Sequence, residues 1–205
     1  MSRNALIAFG FATIAIAAPA PVSAAVLIFS TNLAGSNEIP PVTTQGSGTG
    51  VVTIDTTANT LRVALNFANL TGNTTASHLH CCGPANVNSP VATTTPTFPG
   101  FPLGVTSGAY DQTFDLTLAS SFNAAFLNNL VNGGNITTAR NTLFNGIIAG
   151  QSYLNIHTNF ALGGEIRGQL TAVPEVSTWA MMLVGFAGVG AAMRRRRSGM
   201  LTSRA

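Results

Sequence analysis

"GTGVVTIDTTANTLRVALNF", residues 48–67, decides the fold class. Val52 and Ile54 share one face of its first half, and Leu61, Val63, Leu65 and Phe67 share one face of its second. That spacing has period two, the repeat of a strand rather than a helix. "TTAN" between the halves supplies the turn, so the stretch predicts a β-hairpin.

The same rhythm extends outward. Strands are expected at Ala76–Cys81, Val105–Leu118, Ser152–Thr158 and Glu165–Leu170, with turn residues between them. Short strands spaced in this way predict an all-β domain, an antiparallel Greek-key-like β-sandwich. Two segments break the rhythm and predict short helices. "SSFNAAFLNNLVNGG" offers Ser120 or Ser121 as an N-cap and Gly133 as a stop, with Phe122, Phe126 and Leu130 on one face. "TTARNTLFNGIIAG" groups Ala139, Leu143, Ile147 and Ile148 and ends at Gly150. The proline-rich stretch "VNSPVATTTPTFPGFPLG", residues 87–104, reads as a rigid irregular crossing that covers an edge or forms a lid. No internal repeat and no second domain is visible.

The two ends have a different character. Met1-Ser-Arg-Asn is followed by "ALIAFGFATIAIAAPAPVSAA", an uncharged run that exits through small residues. This pattern predicts a secretory signal over residues 1–25, removed by signal peptidase. At the other end an apolar stretch, Ser177 to Met193, is short for a bilayer span and is stopped by Arg194, Arg195, Arg196 and Arg197. Positive-inside logic keeps those arginines and the tail 198–205 in the cytoplasm and leaves the middle of the chain outside. The order Pro174-Glu175, Trp179, apolar helix, arginine cluster resembles the PEP-CTERM sorting tail of Gram-negative bacteria over residues 173–197. The resemblance implies an exosortase-type processing enzyme, transient inner-membrane anchoring and delivery to the cell surface or matrix. Val176 stands where that family usually has a second proline.

The charge balance excludes one class of partner. The chain carries nine basic residues, all arginine, and six acidic ones, for a formal charge of +3. Between residues 26 and 173, however, Glu38, Asp55, Asp111, Asp115 and Glu165 face only Arg62, Arg140 and Arg167, a net of −2. The basic character belongs to the tail, and the middle lacks the stripe that phosphate binding needs. Nucleic acid is not an expected partner.

Three blocks carry a second resemblance. "LAGSNEIPPVTT" (33–44), "SHLHCCGPANVNSPV" (77–91) and "SYLNIHTNFALGGEIRGQL" (152–170) resemble, in order, the blocks of the CHRD domain first named from chordin. The resemblance covers most of residues 26–172 and implies a β-rich extracellular domain with a binding or matrix role. It implies no established reaction.

Within those blocks the alternation places polar residues together. His78, His80 and Cys82 fall on one strand face, opposite Leu79 and Cys81. Tyr153, Asn155 and His157 share a face, as do Glu165, Arg167 and Gln169. If the three strands are neighbours, all three histidines join a polar cluster with Asn155, Glu165 and Arg167. Two readings stand. One is a copper or zinc site on His78, His80 and His157, with Cys82 as a further candidate ligand and a redox role in reach. The other is a hydrogen-bonded polar layer in which Glu165 pairs with Arg167 or a histidine.

Cys81 and Cys82 suit a structural vicinal disulfide or a turn-stabilising pair in an exported protein, with metal ligation and thiol chemistry as alternatives. No Gly-x-Ser-x-Gly elbow, phosphate loop or His-Glu-x-x-His occurs, and Asp111 and Asp115 read as solubilising an edge. The expectation is a non-enzymatic, exported protein that binds extracellular polysaccharide or a surface protein, or structures the matrix. A metal-binding domain is the alternative.

Overall fold

A computed structural model describes residues 26–174, 182–190 and 194. Eight strands build one antiparallel sheet: β1 Val26–Ala34, β2 Ser47–Asp55, β3 Thr60–Ala68, β4 Thr74–Cys81, β5 Gly108–Asp115, β6 Ser152–Thr158, β7 Ile166–Gln169 and β8 Thr171–Ala172. The order across the sheet is β4-β6-β7-β1-β2-β3-β5, with β8 alongside β1. The all-β antiparallel expectation holds. The strands form one continuous hydrogen-bonded sheet that curls upon itself around a single core.

The opening hairpin is β2–β3, in full register from Ser47↔Ala68 to Asp55↔Thr60. Asn59 closes its turn at φ 57°, a conformation asparagine tolerates better than most residues. Val52, Ile54, Leu61, Val63, Leu65 and Phe67 all enter the core, as the alternation requires. The curl brings distant strands onto the same core. A Cβ on Gly50 of β2 would press into the Leu154 side chain of β6, so the glycine permits that approach.

The central strand β1 is absent from the sequence-based expectations. Its alternation of Phe29, Thr31 and Leu33 toward the core is present in the chain but follows directly on the apolar leader. The two edges are β4 and β5, and the segment after β4 covers the first. Ala92 N–H donates to Leu79 O, Phe98 N–H to Ser77 O and Cys81 N–H to Pro90 O. Phe98 then packs on Tyr110 and Phe114 of β5, with centroids 5.7 and 5.4 Å away. The proline-rich stretch is thus an edge cover, which also ties the two sheet edges together.

The helices differ in part from expectation. α1 spans only Ala124–Leu127, capped by Asn123, whose side chain accepts from Ala125 N–H. It stops because asparagine side chains capture the backbone: Asn128 Nδ2 donates to Ala124 O, and Asn129 Oδ1 accepts from Val131 and Asn132. Leu130, expected on the buried face, is fully exposed. α2 spans Ile136–Ile148 with Asn135 as N-cap, and buries Ala139, Leu143, Phe144 and Ile147. Ile148 lies one residue past that face and is exposed.

The expected signal segment lies outside the described residues, as do Glu175, Trp179 and Arg195–Arg197 of the sorting tail. Residues 182–190 are helical and exposed. Among the described residues, no helix is long and apolar enough to cross a membrane.

Candidate metal centre

β4, β6 and β7 are consecutive neighbours, so the polar faces of the three strands do meet. His78 pairs with Asn155, His80 with Tyr153, and Asn155 in turn with Arg167. His78 and His80 are buried and His157 is half-buried. One ligand nitrogen from each histidine lies within 4.8 Å of the other two. Their ring centroids are 5.2 Å apart for His78–His157 and 6.0 Å for the other two pairs.

The hydrogen bonds fix which nitrogens are available. His78 Nε2 lies 2.7 Å from Pro96 O, His80 Nδ1 2.7 Å from Ser89 O, and His157 Nδ1 2.9 Å from Leu162 O. A carbonyl only accepts, so each of these nitrogens carries the proton and donates. The opposite nitrogens, His78 Nδ1, His80 Nε2 and His157 Nε2, are then bare lone pairs, and all three are buried without a partner. Three orphaned acceptors facing one another are costly as a polar layer, since none can donate to another. The same arrangement suits a cation, and ligating histidines characteristically donate their second N–H to a carbonyl.

Electrostatics points the same way. Burial lowers the pKa of all three histidines, and that of His80 falls to about 4. Repulsion from His157 adds to the effect at His78, and from Arg167 at His157. All three are therefore neutral at physiological pH, the form in which imidazole binds metal. Zinc or copper bonds to nitrogen are about 2.0–2.1 Å, which sets tetrahedral ligand atoms about 3.3–3.5 Å apart. The ligand nitrogens, within 4.8 Å of one another, would need to close by at most about 1.5 Å on loading.

Around the triad stands a supporting shell. Tyr153 lies flat on His80, and the Arg167 guanidinium sits over the Tyr153 ring at 4.3 Å. Arg167 Nε donates to Glu38 Oε2 at 2.6 Å, both residues being buried, and its Nη2 donates to Asn88 Oδ1. Glu38 was not among the sequence-derived site residues. The signal for it was present, since it lies in the first of the three blocks, 129 residues before Arg167.

Two expected members lie elsewhere. Glu165 pairs neither with Arg167 nor with a histidine. Its carboxylate accepts from Thr44 Oγ1, Thr71 N–H, Gly72 N–H and Thr158 Oγ1. The reason is local: regular β7 pairing begins at Ile166, and Glu165 sits in the bend before it, where strand alternation no longer fixes its side. Burial pushes its pKa up, but those four hydrogen bonds outweigh this and hold it below the usual carboxylate range. Cys82 also leaves the triad. β4 ends at Cys81, and a disulfide joins the two neighbours. That bridge packs on α2, with Cys82 Sγ 3.5 Å from Thr142 O and both sulfurs against Gly146.

Asp111 and Asp115 are exposed on edge strand β5, one in an ion pair with Arg62 and the other capping Thr117. Neither a curated protein nor a solved structure matches this chain. The CHRD domain model matches residues 29–170, most of the chain, and includes every residue of the triad and its shell. The chain belongs to the CHRD domain family.

Proposed function

We propose that this protein is an exported, surface- or matrix-associated CHRD domain that acts by binding, with no catalytic role, and that its binding centre is a copper or zinc site on His78, His80 and His157. The observation that carries the reading is the set of three buried imidazole lone pairs without partners, each set by a ring N–H donated to a backbone carbonyl. Tyr153 orients His80, and the Arg167–Glu38 pair in turn holds Tyr153 from its other face. Export through signal peptidase, a transient inner-membrane anchor and exosortase-type release rests on the two terminal sequence patterns. An extracellular polysaccharide or surface protein is the proposed larger partner, and a metal bound at the centre would stiffen the edge strand that presents it.

Elemental analysis of the protein exported to a periplasm and mildly purified tests the centre. The expected result is about one copper or zinc per chain, lost on His78→Ala or His157→Ala. Substoichiometric metal that is unchanged in both variants would leave a polar layer only. Intact-mass analysis of surface material tests the sorting: the mature protein is expected to lack Ser177–Ala205, and neutral residues at Arg194–Arg197 to delay processing.

A further inference from the structure

Three imidazoles do not close a coordination shell. Among the described residues no cysteine, aspartate or glutamate joins them. Zinc with four protein ligands is typical of structural sites, whereas three leave a position for water or an exchangeable ligand. What borders that position decides what it takes.

Asn155 is the central neighbour. It pairs in register with His78 on one side and with Arg167 on the other. Directly opposed residues hold their Cβ atoms about 4.5–5.5 Å apart, and His157, two residues on, shares its face. The Asn155 side chain is 1% exposed, yet neither its Nδ2 nor its Oδ1 has a partner. Arg167 likewise keeps an unpartnered, buried Nη1 after bonding Glu38 and Asn88 through its other nitrogens. Gly164 lets the Asn155 amide and the Glu38 carboxylate pack directly against its backbone. At φ 130° it favours glycine, and a Cβ there would collide with both amide atoms of Asn155 and with Glu38 Oε1.

The charge is one-sided. Arg167 pairs in register with Asn155, and its guanidinium lies over the Tyr153 ring that stacks on His80. Glu38 offsets only that one guanidinium. A divalent ion on the triad would leave the buried centre with a net positive charge, which favours an anion over a neutral ligand.

We infer that the open position takes a small oxyanion of the carboxylate class, with one oxygen on the metal and the other held by Asn155 Nδ2 under the field of Arg167. The inference rests on the metal reading above and adds the ligand class. It requires a small molecule, because the Asn155 amide is enclosed on every side.

The test is a formate titration of the exported protein loaded with Cu(II), at constant ionic strength, read by electron paramagnetic resonance and the visible ligand-field band. Wild type is expected to show a saturable spectral change. Asn155→Ala should keep about one copper per chain and need at least tenfold more formate. Asn155→Asp, nearly isosteric, places a negative charge where the anion would sit and should abolish the response while retaining copper. A wild-type protein that holds copper but shows no saturable change would overturn the inference and leave the metal centre intact. The same holds if both variants respond to formate as wild type does. Failure to load copper at all would instead remove the metal reading, and this inference with it.

Discussion

His80 and Tyr153 stack face to face, with centroids 4.6 Å apart and planes 7° from parallel, and both reach the same acceptor, Ser89 O. The stack sets the plane of the imidazole, and the shared carbonyl sets its tautomer. Tyr153→Ala should therefore do two things: cost about 3–5 kcal/mol by analogy with other large aromatic truncations, and weaken metal binding about 10–100-fold through loss of the supporting shell. Tyr153→Phe keeps the ring and loses one hydroxyl, so it should cost only about 1 kcal/mol. Denaturant unfolding and metal titration of the two variants separate these effects. Equal metal affinity in all three proteins would show that the stack does not orient His80.

The metal-free domain should lose stability as pH falls from about 6.5 to about 4. His80 has an ordinary pKa near 6.5 when unfolded, and burial lowers it to about 4 in the fold. Above 6.5 neither state is protonated there, and its contribution to stability is full. Between the two values the unfolded chain takes up a proton that the folded one refuses, so folding weakens by up to roughly 3 kcal/mol. His78 and His157 are shifted in the same direction and add to the trend. Urea midpoints measured with a chelator at pH 7.5, 6 and 4.5 should fall in that order, and His80→Asn should flatten the slope. A midpoint independent of pH over this range would contradict the buried, neutral triad.

Glu165 makes a separate prediction because it belongs to a different network. Its carboxylate fastens the Thr44 and Thr71–Gly72 loops to the end of β6 through four accepted hydrogen bonds. Glu165→Gln replaces one acceptor oxygen with an amide donor that faces donors, and should cost about 1–3 kcal/mol. Metal affinity should be unchanged. Loss of metal in a folded Glu165→Gln protein would place the carboxylate at the triad after all.

Most of the triad was legible because alternation is a geometric rule. His78 and His80 must share a face, His157 must share one with Asn155, and neighbouring strands then unite them. The rule fails where strands end. Cys82 and Glu165 each lie one residue beyond regular pairing, and both were assigned to a face they do not occupy. Glu38 was not found because its contact with Arg167 depends on Ala34 of β1 meeting Arg167 of β7, a pairing in the middle of the sheet between strands far apart in the chain. No local pattern encodes a pairing at that separation. The shortened α1 has the opposite cause, since "NNLVN" carried the asparagines that unwind it. Their competition for the backbone is local, but the apolar spacing of Phe122, Phe126 and Leu130 concealed it.

The vicinal disulfide yields the sharpest test of packing. Gly146 lies inside α2, where glycine ordinarily costs about 1 kcal/mol relative to alanine. On propensity alone, Gly146→Ala should stabilise the helix. A Cβ at this position, however, would run into both Cys81 Sγ and Cys82 Sγ. Overpacking of this kind typically costs about 1–3 kcal/mol, so the net change should be destabilising. The two effects separate in a double-mutant cycle with Cys81→Ala and Cys82→Ala together. In that background the sulfurs are gone, and Gly146→Ala should become neutral or stabilising, a reversal of sign measurable by urea midpoints. If Gly146→Ala destabilises both backgrounds equally, the helix is not held by the disulfide, and the bridge makes no contact with α2 that matters for folding.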